Sequence, residues 1–315
     1  VTQASAIQLD GLTKVFGRRK KIYAVRDVSL NVAPGQVYGF LGPNGAGKTT
    51  TIRMLLSLMT PSAGRLSVFG KDIHHDPTVL RRVGAHIEGA AFYPYLSGRR
   101  NLEVIGRING FYDRERIETL LKQVGLSERA RQRVRGYSLG MRQRLGLAAA
   151  LVNSPDLLIM DEPTNGLDPA GIQEMREFMR ELVDQDGKTV FFSSHLLSEV
   201  EQTCDRVAII NRGEIVREGA VKALLESGSS VRIEVASPVD AAAALGDAWQ
   251  SRVAGGALVV DAPRAHVPRI VARLVERDIA VYEVVREKQT LEAFFLDVTH
   301  TASSDVSRME IAHGR

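Results

Sequence analysis

The chain has 315 residues, more than one domain of ordinary size needs, and carries 41 Lys and Arg against 37 Asp and Glu. The resulting net charge of +4 permits contact with a phosphate ligand or an anionic membrane face but is too weak for a nucleic-acid coat, so no nucleic-acid partner is expected. The single cysteine, Cys204, excludes an internal disulfide and reads as a small core residue, while no run approaches the roughly twenty apolar residues that cross a bilayer.

From Ile7 to about Leu225, apolar strand-like runs alternate with helical patterns, the rhythm of an α/β fold around a buried parallel sheet. The opening VTQASAIQLD lacks the charged-then-apolar pattern of a signal peptide, and the basic run Arg18 to Lys21 reads as a solvated hairpin loop. The strand-like VYGFL then leads into GPNGAGKTT, Gly42 to Thr50, which fits G-x-x-x-x-G-K-[ST]. A helix follows, with Ile52, Leu55, Leu56 and Met59 on one face, ending near Pro61. In this setting the backbone of Gly42, Pro43, Asn44, Gly45, Ala46 and Gly47 can wrap phosphates, Lys48 reaches the β- and γ-phosphates, and the hydroxyls of Thr49 and Thr50 stand at the helix start. Thr49 is the expected magnesium ligand, so a phosphate-bearing ligand with Mg2+ is expected here.

Further on, His74 and His75 adjoin without a third ligand, and no metal site is assigned to them. In RGYSLGMRQRLGLAAAL, Ser138 has the chemistry of a helix N-cap and Gly140 keeps the first turn bare, while Leu145, Ala148, Ala149 and Val152 form an apolar face. Such a helix start is a second anion site. LLIMDEP places Asp161 at the carboxyl end of a buried strand, where open α/β sheets bind ligands, with Glu162 next to it. Asp161 suits the magnesium shell, and Glu162 can polarise a water that attacks the γ-phosphate. TVFFSSH brings His195 to the same edge, as a γ-phosphate contact or as a structural histidine.

After Gly228 the texture changes to short strands, VRIEV and IAVYEVV, split by helices such as VPRIVARLVE, which suggests a small α+β unit over 227–300 and a loose polar tail over 301–315. Leu291, Phe294, Phe295 and Val298 fall on one helical face.

The order GPNGAGKT, YSLGMRQR, LLIMDEP, GLDP, SSH resembles the nucleotide-binding subunit of ATP-binding cassette (ABC) transporters. That resemblance implies a P-loop NTPase core with a helical signature subdomain over 1–226, and an ATPase with catalytic Lys48, Glu162 and His195. It places YSLGM at the family signature, usually LSGGQ, so that Ser138 and Gly140 match while Tyr137, Leu139 and Met141 depart. It also assigns Asp168 to the loop that joins two subunits. Phe16 corresponds to an aromatic that stacks on adenine, against the alternative of an ordinary core Phe in an edge strand. Glu88 stands where a glutamine that touches magnesium is usual.

By the same resemblance two subunits, identical or paralogous, pack head to tail around two ATP, which answers why one chain carries two anion sites. IEGAAFYPYLSGRRNL, YSLGMRQR and TLEAFFLDVT together resemble the ATPases of ABC-2 type antibiotic, lantibiotic and drug exporters. The implied protein is cytoplasmic, peripheral on the inner face of the cell membrane, and drives a separate integral-membrane permease. The alternatives are an import ATPase, or a non-transport ABC ATPase of DNA repair or translation, whose long insertions or paired cassettes are not found in this sequence.

Overall fold

The computed structural model describes residues 4–17, 19–87, 92–227, 230–287, 291–292 and 295. The chain divides into two compact units, Val1–Glu218 and Gly219–Arg315, a division eight residues upstream of the boundary expected at position 226.

The first unit begins with β1 (Ile7–Phe16), β2 (Ile22–Val32), β3 (Val37–Leu41), α1 (Lys48–Leu55), β4 (Ala63–Val68) and β5 (Lys71–Asp72). It continues with β6 (Val83–His86), the helices α2 (Gly98–Ile108), α3 (Arg114–Gln123) and α4 (Leu139–Leu151), then β7 (Leu157–Asp161) and α5 (Pro169–Asp184). Its last elements are β8 (Thr189–Ser194), α6 (Leu197–Thr203), β9 (Arg206–Asn211) and β10 (Glu214–Ala220), of which the last two residues fall past the division. Two sheets result, one in the order β2-β1-β4-β5 and one in the order β10-β9-β3-β8-β7-β6. In the second, β9, β3, β8, β7 and β6 are parallel neighbours. VYGFL, LLIMD and TVFFSS are buried at every residue, because helices or the other sheet cover both faces and leave no solvent side for a polar alternation.

A single core joins the two sheets through α1: Leu9, Val25 and Leu66 pack with Ile52, Met54 and Leu55, and these with Phe40, Ile159 and Phe191. Each such side chain contributes about 1.5–3 kcal/mol through burial. The helices α2, α3 and α4 pack on one another as a helical subdomain. Ser97 caps α2 by accepting from the Arg100 N–H, and Asp113 caps α3 by accepting from Glu115 and Arg116.

The second unit comprises α7 (Val221–Ser227), β11 (Ser230–Val235), α8 (Pro238–Leu245), β12 (Ser251–Ala254), β13 (Ala257–Asp261), α9 (Val267–Val275) and β14 (Val281–Glu287). Its sheet has the order β12-β13-β11-β14 with antiparallel neighbours, so β11 to β14 with α8 and α9 form a split β-α-β-β-α-β arrangement. Val231, Ile233, Val235, Leu258 and Val260 pack against Ala241, Leu245, Ile270 and Leu274 of the two helices. Leu291 is buried, whereas Phe294 and Val298 of the same expected face lie outside the described residues. Among the described residues no helix is long and apolar enough to cross a membrane.

Candidate functional site

Three neighbouring strands set the site. In the register of the parallel sheet Leu41 lies beside Ser194 and Asp161 beside Ser193, so β3, β7 and β8 end at one edge. The segments that leave these ends carry Gly42–Thr50, Glu162 and His195.

The loop after β3 approaches its neighbours too closely for a side chain at two positions. A Cβ on Gly42 would stand 2.3 Å from the Ile210 carbonyl oxygen, and Gly47 has φ 112° with the Ala24 carbonyl oxygen 2.4 Å from where its Cβ would be. Gly47 is the N-cap of α1 and offers no side chain to it. The Ala46 N–H is satisfied by Pro43 and the Thr51 N–H by Gly47, and among the described residues nothing accepts from the N–H groups of Lys48, Thr49 and Thr50. Bare amides at a helix start, with the helix dipole behind them, make an anion cradle. Pro43, Asn44 and Gly45 form its exposed rim, Ala46 is buried beneath it, and Thr49 and Thr50 are half-buried.

Lys48 is 5 % exposed, and its Nζ donates to the Gly42 carbonyl at 2.7 Å and to that of Pro43 at 3.3 Å. The same Nζ stands 3.2 Å from Glu162 Oε1, and Glu162 Oε2 lies 2.7 Å from His195 Nδ1. Because a carboxylate only accepts, the His195 proton sits on Nδ1 and leaves Nε2 for another partner. Glu162 has φ 48°, a left-handed conformation that costs a non-glycine residue about 1–3 kcal/mol. The strain turns its carboxylate toward Lys48 and His195. Asp161, 5 % exposed, accepts from Ser193 Oγ at 2.5 Å through Oδ1, and Ser193 Oγ accepts in turn from the Glu162 N–H at 3.0 Å.

The donor set suits a hard cation. Asp161 uses Oδ1 for Ser193, which leaves Oδ2, and the half-buried Thr49 carries a hydroxyl at the helix start; both are oxygen ligands of the kind magnesium takes. Glu88, expected to join them, lies outside the described residues.

The second helix start is formed as expected. Ser138 is the N-cap of α4, its hydroxyl accepting from the Met141 N–H at 3.2 Å, and Ser138 is exposed. Gly140 keeps the first turn open, with Leu167 as the nearest side chain. The three departures in this stretch divide by environment. Tyr137 is buried and donates its hydroxyl to the Arg129 carbonyl at 2.8 Å, Leu139 is 46 % exposed and lies against Gly166, and Met141 is half-buried. Asp168 is the N-cap of α5, accepting from the Gly171 N–H at 3.0 Å.

Phe16 departs from one of its two readings. It ends β1, which is an inner strand between β2 and β4, and it is 41 % exposed with Lys14 Nζ 5.4 Å from its ring centre. It is therefore not a core residue, and because β1 pairs with β4 only as far as Thr13, the strand at Phe16 has β2 alone beside it. The described part of the basic run, Arg19 to Lys21, is exposed. His75 pairs with Asp72 at 3.1 Å, and among the described residues no cluster of three metal-ligating side chains occurs.

Sequence reasoning missed four polar groups behind the site. Ser193 and Ser194 read only as the end of the strand TVFFSS, and Glu199 and His86 drew no reading. His86 is 5 % exposed with Nε2 2.5 Å from Gln143 Oε1, and burial holds its pKa below the usual imidazole value. For Ser193, Ser194 and His86 the available signal is the polar residue at the end of an otherwise apolar run, and Glu199, inside α6, has no such signal.

Residues 25–165 match the family model described as ABC transporter. The bacitracin transport ATP-binding protein BcrA of Bacillus licheniformis is 45% identical over 68% of this chain and 70% of its own length. The daunorubicin resistance ATP-binding protein DrrA3 of Streptomyces coeruleorubidus is 37% identical over 94% of this chain and 96% of its own. Among solved structures, the dimeric post-hydrolysis state of the ATP-binding cassette MJ0796 bound to ADP and Pi superposes with a TM-score of 0.63, at 26% identity over 68% of this chain and 98% of that one.

Proposed function

The chain belongs to the ATP-binding proteins of ABC transporters and is an ATPase, and on that premise we propose that it pairs head to tail with a second copy of itself, or with a paralogous subunit, around two Mg-ATP to drive an exporter. One observation carries the pairing: a single chain presents two bare helix starts, α1 behind Gly47 and α4 behind Ser138. Each ATP is then held between the phosphate loop of one protomer and the Ser138 helix start of its partner. ATP supplies the negative charge both helix starts attract, and release of phosphate after hydrolysis removes it, so the dimer closes on ATP and opens once phosphate has left. The dimeric cassette among the structural neighbours supports this reading.

Within each site, the amides of Lys48, Thr49 and Thr50 receive phosphate oxygens and the ammonium of Lys48 moves from the Gly42 carbonyl to the β- and γ-phosphates. Glu162 accepts a proton from the attacking water, and His195, oriented by its Nδ1 bond to Glu162, turns Nε2 to the γ-phosphate. Thr49, Asp161 and Glu88 would hold magnesium, which when bound neutralises developing phosphate charge. Phe16 offers its exposed ring to adenine, and Asp168 faces the partner protomer from the start of α5.

The bacitracin transport and daunorubicin resistance relatives support export by a separate integral-membrane permease, with this subunit on the cytoplasmic face of the membrane. The cargo class is an antibiotic, peptide, drug or lipid-like compound.

Mixed dimers test the pairing. Lys48→Ala removes the phosphate loop function and Ser138→Arg blocks the α4 start by bulk, so each homodimer has two defective sites. A heterodimer of the two has one doubly defective site and one intact site. In a Glu162→Gln background, heterodimers isolated with two different tags should trap ATP that neither homodimer traps. Heterodimers that trap no more than the homodimers overturn the head-to-tail arrangement.

A further inference from the structure

Behind the reacting edge, α6 carries a carboxylate that the mechanism above does not use. Glu199 is 3 % exposed. Its Oε2 accepts from Thr164 Oγ1 at 2.7 Å and from Ser194 Oγ at 3.2 Å, while its Oε1 is buried with no hydrogen-bond partner among the described residues. Burying a carboxylate that is only half satisfied is costly, and an apolar side chain of similar size would fill the space without that penalty. Stability therefore gives no reason for the residue.

Its two partners give one. Thr164 is two residues beyond Glu162 in a tight turn, whose backbone closes through the Asn165 N–H on the Glu162 carbonyl at 3.1 Å and the Leu167 N–H on the Thr164 carbonyl at 3.1 Å. Ser194 directly precedes His195, and its hydroxyl also accepts from the Leu196 N–H at 2.9 Å. Each hydroxyl thus belongs to a segment that carries one of the two side chains at the reacting edge. The carboxylate itself has little room to move, because α6 lies tight on β3. A Cβ on Gly39 would come within 2.9 Å of Val200 Cγ1 and 2.8 Å of Cys204 Sγ.

We infer that Glu199 is a positioning residue, which ties the Thr164 turn to Ser194 so that Glu162 and His195 are held in one fixed relation during hydrolysis. The two adjacent serines divide the work. Ser193 bonds Asp161 and the Glu162 N–H, and Ser194 bonds Glu199. Loss of the tie leaves the phosphate loop intact and lets the Glu162–His195 contact of 2.7 Å drift. Displacements of about an ångström at such a contact cost on the order of a hundredfold in rate. The inference rests on the proposed roles of Glu162 and His195.

The test uses the full chain and saturating Mg-ATP, with kcat, ATP affinity and melting temperature measured for each variant. Glu199→Ala and Thr164→Val should each lower kcat by about ten- to a hundredfold with ATP affinity unchanged. Thr164→Ser, which keeps the hydroxyl, should restore turnover to near the parent. The double variant Glu199→Ala with Thr164→Val should be no slower than either single, because both break one link. Unchanged kcat in the folded variants, additive losses, or ATP affinity and melting temperature falling in step with kcat would each overturn the inference. Should Glu199→Ala fail to fold, equal turnover in Thr164→Val and Thr164→Ser overturns it alone. The proposed roles fail separately, as a Glu162→Gln variant that turns over ATP like the parent.

Discussion

In the first unit β7 and β8 are apolar between their ends; Thr189 opens β8 at the far end, and Asp161, Ser193 and Ser194 come at the edge where β3 releases the phosphate loop. In the second unit the charged residues are spread along the strands. Arg232 of β11 donates to the carbonyls of Ala254 and Gly255, and Arg252 of β12 pairs with Asp261 of β13 at 3.3 Å. The difference follows from burial. A sheet covered on both faces excludes polar groups from its middle and concentrates them at its ends, whereas a sheet covered on one face by α8 and α9 has a whole side on which charge costs little. A polar residue at the carboxyl edge of the first sheet is therefore a functional signal, and one along the second sheet is a surface residue.

The largest effects should come from the ends of the buried strands. Lys48→Ala should abolish measurable ATP binding, because it removes the ammonium from the loop, where Lys48 is 5 % exposed and already in contact with Glu162. Glu162→Gln should bind ATP like the parent yet lose about 10²–10⁴-fold in kcat, since an amide cannot accept the proton of the attacking water. Nucleotide-binding titrations beside steady-state turnover separate the two. Equal loss of binding in both variants would break the division between cradle and chemistry.

A smaller effect compares a packed glycine with an open one. Gly146 of α4 stands against the buried His86 ring, where a new Cβ would lie 2.4 Å from Cε1. The ring is held by Gln143 and cannot yield, so Gly146→Ala should lose about 1–3 kcal/mol by overpacking, more than the roughly 1 kcal/mol it gains in helix propensity. Gly256, in the turn between β12 and β13, has φ 74° but nothing within 4 Å, so Gly256→Ala should cost only the left-handed backbone penalty of about 1–2 kcal/mol. Denaturation of each variant measures the pair. Recovery of Gly146→Ala by an added His86→Ala would identify the ring as the source of strain.

What the sequence made legible follows the same line. Lys48, Asp161 and Glu162 stand inside or beside apolar runs whose spacing is local, and the Ser138 cap needs only the helix that follows it. The links behind them were not legible because they join residues far apart in the chain. Ser193 meets Asp161, Thr164 meets Glu199, and His86 meets Gln143 only once the strand order brings β6, β7 and β8 side by side. Exposure of Phe16 was hidden for a related reason, since its strand pattern is the same whether or not the core extends beneath its last residue. The strain at Glu162 has no sequence signature, because left-handed backbone is expected of glycine and not of glutamate.

The smallest effect on the reacting edge should come from removing the second unit. We propose that a chain ending at Glu226 folds and binds ATP as the full chain does. The phosphate loop, Asp161, Glu162 and His195 all belong to the first unit, Val1–Glu218, and their hydrogen bonds end on residues of that unit. Its core, from Leu9 through Ile52 to Phe191, is likewise complete before that point. The second unit has a separate core of Val231, Ile233, Leu258, Ile270 and Leu274. Domains with their own cores fold alone as a rule, so ATP affinity should change by less than about threefold on truncation. The complementary fragment, from Ser230 onward, should give a cooperative melt of its own and no nucleotide binding. Circular dichroism for folding and a fluorescent ATP analogue for binding read both fragments. A truncated chain that is folded but cannot bind ATP would place part of the nucleotide site beyond Glu226, and one that does not fold would make the two sheets a single cooperative body rather than two with different rules.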